Sequence, residues 1–250
     1  MVDRERAIQL GHPSYVWRAG QERRLDLVRR HVPLFLGPAG DPAGPKILDI
    51  GCGLGMYTQA FGRYSGQVYG AELEHERAVQ ARHRATGVAQ AVGEHLPFKS
   101  DTFDLVFNNE VIEHVADDRQ TAREMVRVTR AGGYVATFCP NRLWPFETHG
   151  IYWRGRYSFG NKPLVNYLPA PLRNRLAPHV RVYSRRALLA LFHDLPVRVA
   201  HYQTAYPGFD NVIARFPRAG PLVRWISYRL EGWPLFKRFG LSHFLVIQKR

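Results

Sequence analysis

The sequence predicts an α/β fold: a doubly wound, mostly parallel sheet of seven strands in a single domain of 250 residues. Short apolar segments alternate with helix-forming segments between residues 46 and 138, the pattern of parallel strands joined by crossover helices. Glycines follow the first apolar segment directly, where a strand would pass into a helix. A final apolar segment at the end of the chain would close the sheet.

Each element is predicted from its own pattern. Strands are predicted at Lys46–Ile50, Gln67–Ala71, Val88–Val92, Phe103–Asn108, Tyr134–Phe138, Val197–Thr204 and His243–Gln248. Helices are predicted at Met56–Phe61, Glu74–Arg84, Asp118–Thr129 and Arg185–Phe192, the last of them starting at Ser184. Gly132 and Gly133 are expected to end the third helix, because glycine commonly follows a helix C-terminus.

The rest of the chain departs from this alternation. Residues 1–45 form an N-terminal segment with a helix over 3–32, broken near residues 11–13 and at Gly20, and a loop from Gly37 to Pro45. After the core of residues 46–140, residues 141–182 lack a clean period and are rich in proline, arginine and aromatic residues. We interpret them as a cap over the ligand-binding edge of the sheet, and 207–240 as a second insertion of short helices.

Positive charge is concentrated in the second half of the chain. Residues 1–141 hold 17 basic and 17 acidic side chains, whereas residues 142–250 hold 18 and 4 and therefore account for the whole net charge of +14. This imbalance indicates either a solvated basic surface or an anionic partner, which could be membrane lipid, a phosphorylated substrate or nucleic acid. The interleaved aromatic residues suit a membrane–water interface or base stacking.

Other bulk features exclude several classes. No apolar run of about 18 residues is present, which excludes a transmembrane span, and the first residues lack the pattern of a signal peptide. A cytoplasmic location is therefore expected, with peripheral contact at the inner membrane face as an extension of it. Cys52 and Cys139 are too few for a disulfide framework or a thiolate zinc cage, and are expected to be reduced and buried.

The glycine-rich turn is the strongest local motif. Asp49 is followed by Gly51, Gly53 and Gly55, a spacing that differs from the G-x-G-x-x-G of dinucleotide folds. Glycines allow a tight turn and close approach of the backbone to a ligand. Glu72 ends the second predicted strand, where a carboxylate can accept hydrogen bonds from both hydroxyls of a ribose.

These segments, together with the later strings at 93–98, 101–107 and 110–115, resemble the class I S-adenosylmethionine-dependent methyltransferases. They are most similar to the type 11 and ubiquinone-pathway branch, and the clear resemblance covers about residues 46–140. It implies a Rossmann-like fold, methyl transfer and S-adenosylmethionine as cofactor. Many members carry an aspartate two residues before the position of Glu94, and this chain has Val92 there.

The resemblance implies a set of cofactor-binding residues. Asp49 and the three glycines of the turn would surround the methionine part, Glu72 would hold the ribose, and residues 93–95 would lie beside the adenine. The full implied set is Asp49, Gly51, Cys52, Gly53, Gly55, Glu72, Leu73, Gly93, Glu94, His95 and Asn109.

The string Glu110-Val111-Ile112-Glu113-His114 follows the fourth predicted strand. If it is helical, Glu110, Glu113 and His114 share one face, and their charges would repel unless a proton or cation were bound. Such donors suit Mg²⁺ or, with imidazole, Mn²⁺, Fe²⁺ or Zn²⁺. The string resembles the metal-binding segment of ubiquinone-pathway and small-RNA 3′-end methyltransferases, in which a later histidine completes the site. His179 is the best match for it, and His149 is the competitor.

Catalysis admits two mechanisms. With a metal, a divalent ion would chelate a catechol or cis-diol and Glu113 would belong to the catalytic group. Without one, His114 or His149 would act as the general base, or the cluster would be purely structural.

Three functions remain open from the sequence. The favoured one is methyl transfer to a hydroxyl of a small molecule, quinone precursor, lipid or sugar. The others are RNA 2′-O-methylation and a non-catalytic cofactor-binding module. Leu222, Val223, Ile226 and Leu230 form one apolar helix stripe, which indicates either an ordinary packed helix or a helix lying on an anionic membrane.

Overall fold

A computed structural model describes residues 16–35 and 43–250. Its strands are β1 Ile47–Ile50, β2 Val68–Glu72, β3 Gly87–Gln90, β4 Phe103–Asn109, β5 Thr129–Pro140, β6 Phe146–Glu147, β7 Ile151–Trp153, β8 Arg156–Ser158, β9 Lys162–Pro163, β10 Val197–Ala205 and β11 Ser242–Lys249. Its α-helices are α1 Ala19–His31, α2 Met56–Phe61, α3 His75–Ala81, α4 Asp118–Val128, α5 Ala170–Leu176, α6 Arg185–Ala190, α7 Asp210–Arg215 and α8 Gly220–Glu231.

Seven of these strands form one sheet in the order β10-β11-β5-β4-β1-β2-β3. The strands from β5 to β3 pair in parallel, and β11 is antiparallel to both of its neighbours. This order reverses direction between β1 and β4, as in doubly wound sheets. The predicted fold class is confirmed, and every predicted strand lies within two residues of its bounds except at the start of β5.

The sheet is covered on both faces. All four residues of β1 are buried, because alternate side chains enter opposite cores. Leu48 packs in a cluster that includes Met125 of α4, whereas Ile47 packs in the cluster that includes Leu25 of α1 and Phe61 of α2. A strand buried on both faces is apolar throughout, which is why these strands could be recognised as continuous apolar runs.

The break predicted at Gly20 lies just before it, at the non-helical residues 16–18. Helix α1 begins at Ala19 and continues through Gly20, and the break predicted near residues 11–13 lies outside the described residues. A Cβ atom on Gly20 would lie 3.3 Å from the backbone nitrogen of Gly208. The glycine therefore permits close approach of two backbone segments and does not end the helix.

The helix predicted at Asp118–Thr129 ends within one residue of its predicted bound, but Gly132 and Gly133 are not what ends it. Helix α4 ends at Val128, and β5 begins at the next residue, so both glycines belong to the strand. The register of β5 against β4 shifts between Phe103 and Leu105, and Gly132 has φ +77°. The two glycines therefore accompany an irregularity of the strand.

Residues 141–182 contain two short antiparallel ribbons, β6 with β9 and β7 with β8, followed by α5. The guanidinium of Arg173 donates to the carboxylate of Glu147 at 2.5 Å, and each side chain is 1% exposed. This buried ion pair joins α5 to β6. No helix among the described residues has the length and apolar content needed to cross a membrane.

Replacing Arg173 with methionine should lower the free energy of unfolding by about 3–5 kcal/mol, because it leaves the Glu147 carboxylate buried without its cation. The matched change Arg175→Met, at an exposed position of the same helix, should cost within about 0.5 kcal/mol. Urea unfolding of the two variants measures both values. Equal losses would show that the buried pair contributes nothing particular to the cap.

Candidate active site

A cavity of about 660 Å³ opens at the carboxyl ends of β1, β2 and β4. Ligands of doubly wound folds bind at this edge of the sheet, and the volume is typical of small-molecule sites. The predicted cofactor residues that line it are Gly51, Cys52, Gly53, Glu72, Leu73, Gly93, Glu94 and Asn109. Asp49, Gly55 and His95 are not part of its wall.

The turn after β1 requires its glycines. Gly51, Gly53 and Gly55 all have positive φ, between +55° and +79°, a region that other residues rarely adopt. A Cβ atom on Gly51 would lie 2.3 Å from a methyl carbon of Val111. The turn therefore packs directly under the segment that follows β4.

Glu72, at the end of β2, is buried and faces this turn. One of its carboxylate oxygens accepts a hydrogen bond from the backbone N–H of Gly53 at 2.8 Å, and the other accepts from that of Glu74 at 3.0 Å. Two backbone donors thus fix the orientation of the carboxylate at the cavity wall. Each oxygen retains a lone pair for a further donor.

Asp49 lies behind the turn. Its buried carboxylate accepts a hydrogen bond from the hydroxyl of Thr58 in α2 at 2.8 Å. Burial raises the pKa of Asp49 to about 7, although the Thr58 hydrogen bond opposes the shift and the nearby Glu72 adds to it. Asp49 therefore joins β1 to α2 and acts on the cavity through the turn.

Glu94 closes the cavity on its far side. One carboxylate oxygen accepts hydrogen bonds from the backbone N–H groups of Ala116 and Asp117 at 2.7 and 3.1 Å. Val92 also lines the wall. This part of the cavity therefore offers an apolar surface beside a carboxylate that is held by backbone donors.

Residues 110–114 are not helical, so the shared helix face considered from the sequence is not formed. Glu110 has φ +55°, and the residues after it form a turn. The carbonyl groups of this turn are bonded from the cap instead: the Tyr183 hydroxyl donates to Ile112 at 3.0 Å, and the Arg181 backbone N–H donates to Glu113 at 3.1 Å. Tertiary contacts thus replace the helical hydrogen bonds.

Glu110 is already paired with a cation. Its carboxylate lies 2.8 Å from the guanidinium of Arg24 in α1 and accepts a hydrogen bond from the hydroxyl of Ser242 at 2.6 Å. Burial alone would raise the pKa of Glu110, but Arg24 and Ser242 hold it below its ordinary value. Arg24 also donates to Asn109 at 2.6 Å, so it organises the end of β4.

Glu113 lies in the opposite situation. It is 1% exposed, and neither of its carboxylate oxygens has a hydrogen-bond partner among the described residues. Burial and the neighbouring carboxylate of Glu110 raise the pKa of Glu113 well above its ordinary value. A buried carboxyl of this kind requires a proton or a cation.

Two histidines face Glu113. One ligand atom from each of Glu113, His114 and His149 lies within 4.8 Å of the others. The Nδ1 atom of His114 is 3.3 Å from the carbonyl oxygen of His179, and that of His149 is 3.1 Å from a carboxylate oxygen of Glu147. Donation from both Nδ1 atoms leaves each Nε2 atom with a free lone pair.

Among the described residues, His149 and not His179 is grouped with Glu113 and His114, and Glu110 pairs with Arg24. The ring of His179 instead lies 3.2 Å from the carbonyl oxygen of His149, so it supports the loop that holds His149. Burial lowers the pKa of His114 to about 4, with a further contribution from His149, and the ring is therefore neutral at pH 7.

Residues from distant segments of the chain were missed by sequence reasoning. Arg18, Gln21 and Arg24 of the N-terminal segment line the cavity, as do Tyr206 and Asp210 beyond β10. Arg24 sits next to Leu25 in an apolar stripe, and a cation within such a stripe is a signal that could have marked it. Asp210 shows no local pattern that would place it here.

The stability of the fold should depend on the titration of Asp49. Its pKa is about 7 in the folded protein against an ordinary value of 3.8, so the folded state binds the proton more tightly and loses stability as pH rises from 4 to 7. The amide of an Asp49→Asn variant does not titrate. Between pH 4 and pH 8, the unfolding free energy of the wild type should therefore fall by about 4 kcal/mol relative to that of the variant. Urea unfolding at both pH values measures this difference. An equal change of unfolding free energy with pH in the two proteins would contradict it.

The comparisons with known proteins agree with this geometry. Residues 48–137 match a family described as a methyltransferase domain. An uncharacterized methyltransferase of Mycolicibacterium vanbaalenii is 31% identical over 215 residues, which span 82% of this chain and 74% of that protein. Another, of Mycobacterium leprae, is 28% identical over 242 residues, spanning 94% of this chain and 83% of that protein.

Solved structures show the same fold. The crystal structure of an S-adenosylmethionine-dependent methyltransferase from Mesorhizobium loti superposes with a TM-score of 0.58 at 17% identity, covering 89% of this chain and 97% of that one. Relatives thus match most of the sequence. This agrees with the glycine turn, the carboxylate at the end of β2 and the seven-stranded sheet. The chain belongs to the class I S-adenosylmethionine-dependent methyltransferases.

Proposed function

We propose that this methyltransferase transfers the methyl group of S-adenosylmethionine to a hydroxyl oxygen, and that a divalent cation held by Glu113, His114 and His149 assists the transfer. One observation supports this above all. A buried carboxylate without a hydrogen-bond partner among the described residues faces two imidazoles, whose Nδ1 atoms each lie beside an oxygen acceptor. The acceptor would be a small molecule, quinone precursor, lipid or sugar.

The cavity offers a fitting contact for each part of the cofactor. The turn at Gly51 and Gly53 brings the backbone to the cavity wall, where it can approach the methionine part. The fixed carboxylate of Glu72 has the lone pairs to accept hydrogen bonds from both ribose hydroxyls. Val92 and Gly93 provide an apolar surface for the adenine ring, which Glu94 borders.

The donor set favours a borderline cation over Mg²⁺. One carboxylate and two imidazoles suit Zn²⁺, Mn²⁺ or Fe²⁺, whereas Mg²⁺ prefers oxygen ligands. Histidines that bind metals usually donate their other ring N–H to a carboxylate or a carbonyl group, which fixes the ring. His149 does so toward Glu147 and His114 toward the backbone of His179.

The hydroxyl first loses its proton to solvent water; methyl transfer then breaks the sulfur–methyl bond, whose electron pair stays on sulfur, and forms an oxygen–methyl bond. A bound cation supplies the positive charge that lowers the pKa of a neighbouring hydroxyl. The residues around it hold the acceptor in line and exclude water. His114 lines the cavity itself, and Glu113 and His149 lie next to it.

The alternative mechanism uses a histidine as the general base. A histidine with a pKa of about 4, as His114 has here, is a weak base near neutral pH. This observation favours the cation over the base. The acceptor oxygen and the seven-stranded fold are common to both mechanisms.

Gly51→Ala should weaken the binding of S-adenosylmethionine more than tenfold, because the new methyl group would meet Val111 and the residue must keep a positive φ. Gly155→Ala is the matched control: Gly155 also has a positive φ, but a Cβ atom there meets nothing within 4 Å. Isothermal titration with S-adenosylmethionine measures the affinities. Similar affinities in the two variants would show that the turn does not bind the cofactor.

Glu113→Gln and His149→Asn should each abolish the binding of one Mn²⁺ or Zn²⁺ per chain, because each removes a ligand atom from the group. His179→Asn should retain the ion, since His179 lies outside the group and only supports the loop of His149. Metal analysis after dialysis measures the stoichiometry, and S-adenosylmethionine binding shows that each variant is folded. Unchanged turnover in excess chelator would refute the cation and leave the histidine base.

A further inference from the structure

Helix α8 presents its apolar side to solvent. Leu222, Trp225 and Ile226 are 58%, 56% and 43% exposed. Residues three or four apart lie on the same side of a helix, so these three form one stripe. Tyr228, on another side, is half-buried with the guanidinium of Arg23 3.8 Å above its ring. The helix thus packs through a polar side and leaves its apolar stripe uncovered, the reverse of a core-facing helix.

The chain on both sides of α8 extends this apolar surface. We call the following exposed residues the α8 surface: Phe216, Leu222, Val223, Trp225, Ile226, Trp233 and Leu235. Single exposed hydrophobic residues are ordinary on soluble proteins, but seven within twenty positions indicate an interaction site. Of the stripe predicted from the sequence, Leu222, Val223 and Ile226 are exposed and Leu230 is half-buried, which disfavours an ordinary packed helix.

The charges around this surface are basic. Arg215, Arg218, Arg229, Lys237 and Arg238 are exposed between residues 215 and 238. The two acids of the region face inward. Asp210 accepts hydrogen bonds from the backbone N–H groups of Ala19 and Gly20 at 3.2 and 3.3 Å. Glu231 pairs with Arg23 and accepts a hydrogen bond from the backbone N–H of Tyr206 at 3.0 Å.

We propose that the α8 surface docks the protein on an anionic lipid bilayer, with α8 lying in the interface. Aliphatic side chains enter the acyl region, tryptophans favour the level of the headgroups, and arginines and lysines attract anionic lipids. The α8 surface and its basic surroundings supply all three kinds of residue. The docking is independent of methyl transfer and of the proposed cation.

Two other occupants fit less well. A second copy of the chain would bring the same arginines against each other in a two-fold interface, where like charges repel. A single-stranded nucleic acid would use the tryptophans for stacking and the arginines for its phosphates. The bases of a nucleic acid cannot stack on Leu222, Ile226 and Leu235, because these side chains have no flat ring.

The position of the surface relates it to the cavity. The segment Tyr206–Asp210, which leads into α7 and α8, lines the cavity with four of its residues: Tyr206, Pro207, Gly208 and Asp210. Leu241, just after the basic residues 237 and 238, lines it as well. Docking through the α8 surface therefore holds a wall of the cavity close to the membrane.

The test is co-sedimentation of the full chain with vesicles. Phosphatidylcholine vesicles with about 30% phosphatidylglycerol should bind the protein in about 0.05 M NaCl and release most of it in about 0.5 M NaCl. Trp225→Ser/Ile226→Ser should lower the affinity about tenfold, since it removes the inserted side chains. Arg215→Gln/Arg218→Gln should lower it at low salt and flatten its salt dependence.

Trp153→Ser/Val199→Ser is the matched control, because Trp153 and Val199 are 60% and 52% exposed and lie outside the α8 surface. It should bind vesicles as the wild type does, and S-adenosylmethionine binding shows that every variant is folded. Absence of binding at low salt, or equal losses in the control, would overturn the proposal. So would a wild-type dimer that the Trp225/Ile226 variant dissociates, or binding of a single-stranded RNA in place of vesicles.

Discussion

Two neighbouring carboxyl groups, the half-buried Glu110 and the buried Glu113, lie at the end of β4, and the organisation of the site depends on how their charge is compensated. Arg24 approaches Glu110 at 2.8 Å and holds its pKa low, while Glu113 has no hydrogen-bond partner among the described residues. A buried carboxylate without a partner is unstable unless it binds a proton or a cation. The first carboxylate therefore has a structural task, and the second is available for chemistry.

The same pair connects the two halves of the cavity. The turn that contains Glu110 and Glu113 packs on the glycine turn through Val111, which occupies the space that a side chain at Gly51 would need. Arg24 links that turn to α1, and Arg181 and Tyr183 link it to the end of the cap and the residue that follows it. A movement of any of these elements would displace both the glycine turn and the histidine group.

The sequence predicts the sheet well, because short stretches of neighbouring residues are enough to indicate each strand. A strand buried on both faces consists mostly of consecutive apolar residues, and closely spaced glycines after it indicate a turn. Residues 110–114 show the opposite case. Their spacing is compatible with a helix, but Glu110 takes a positive φ and distant groups donate to the carbonyl oxygens of the turn. Spacing alone cannot reveal hydrogen bonds from groups as distant in the sequence as the hydroxyl of Tyr183.

The sequence leaves open whether His149 or His179 lies beside Glu113 and His114, for a similar reason. His149 and His179 follow the fifth strand within the same irregular region, and neither has a periodic pattern that would orient it. The buried pair of Arg173 with Glu147 decides between them: it anchors the strand before His149, and Glu147 then accepts a hydrogen bond from the ring of His149. Long-range ion pairs of this kind are set by packing and leave no trace in local spacing.

The excess of positive charge in the second half of the chain has a structural basis in the placement of its few acids. Of the four, Glu147 is buried against Arg173, and Asp210 and Glu231 are bound to the N-terminal helix. Asp194 alone remains at the surface, beside His193. Since acids are turned inward while most arginines stay outside, the exposed field around α8 is almost purely basic. The repulsion between basic side chains disfavours self-association through the apolar stripe. The combination of stripe and charge suits a surface that is both apolar and anionic.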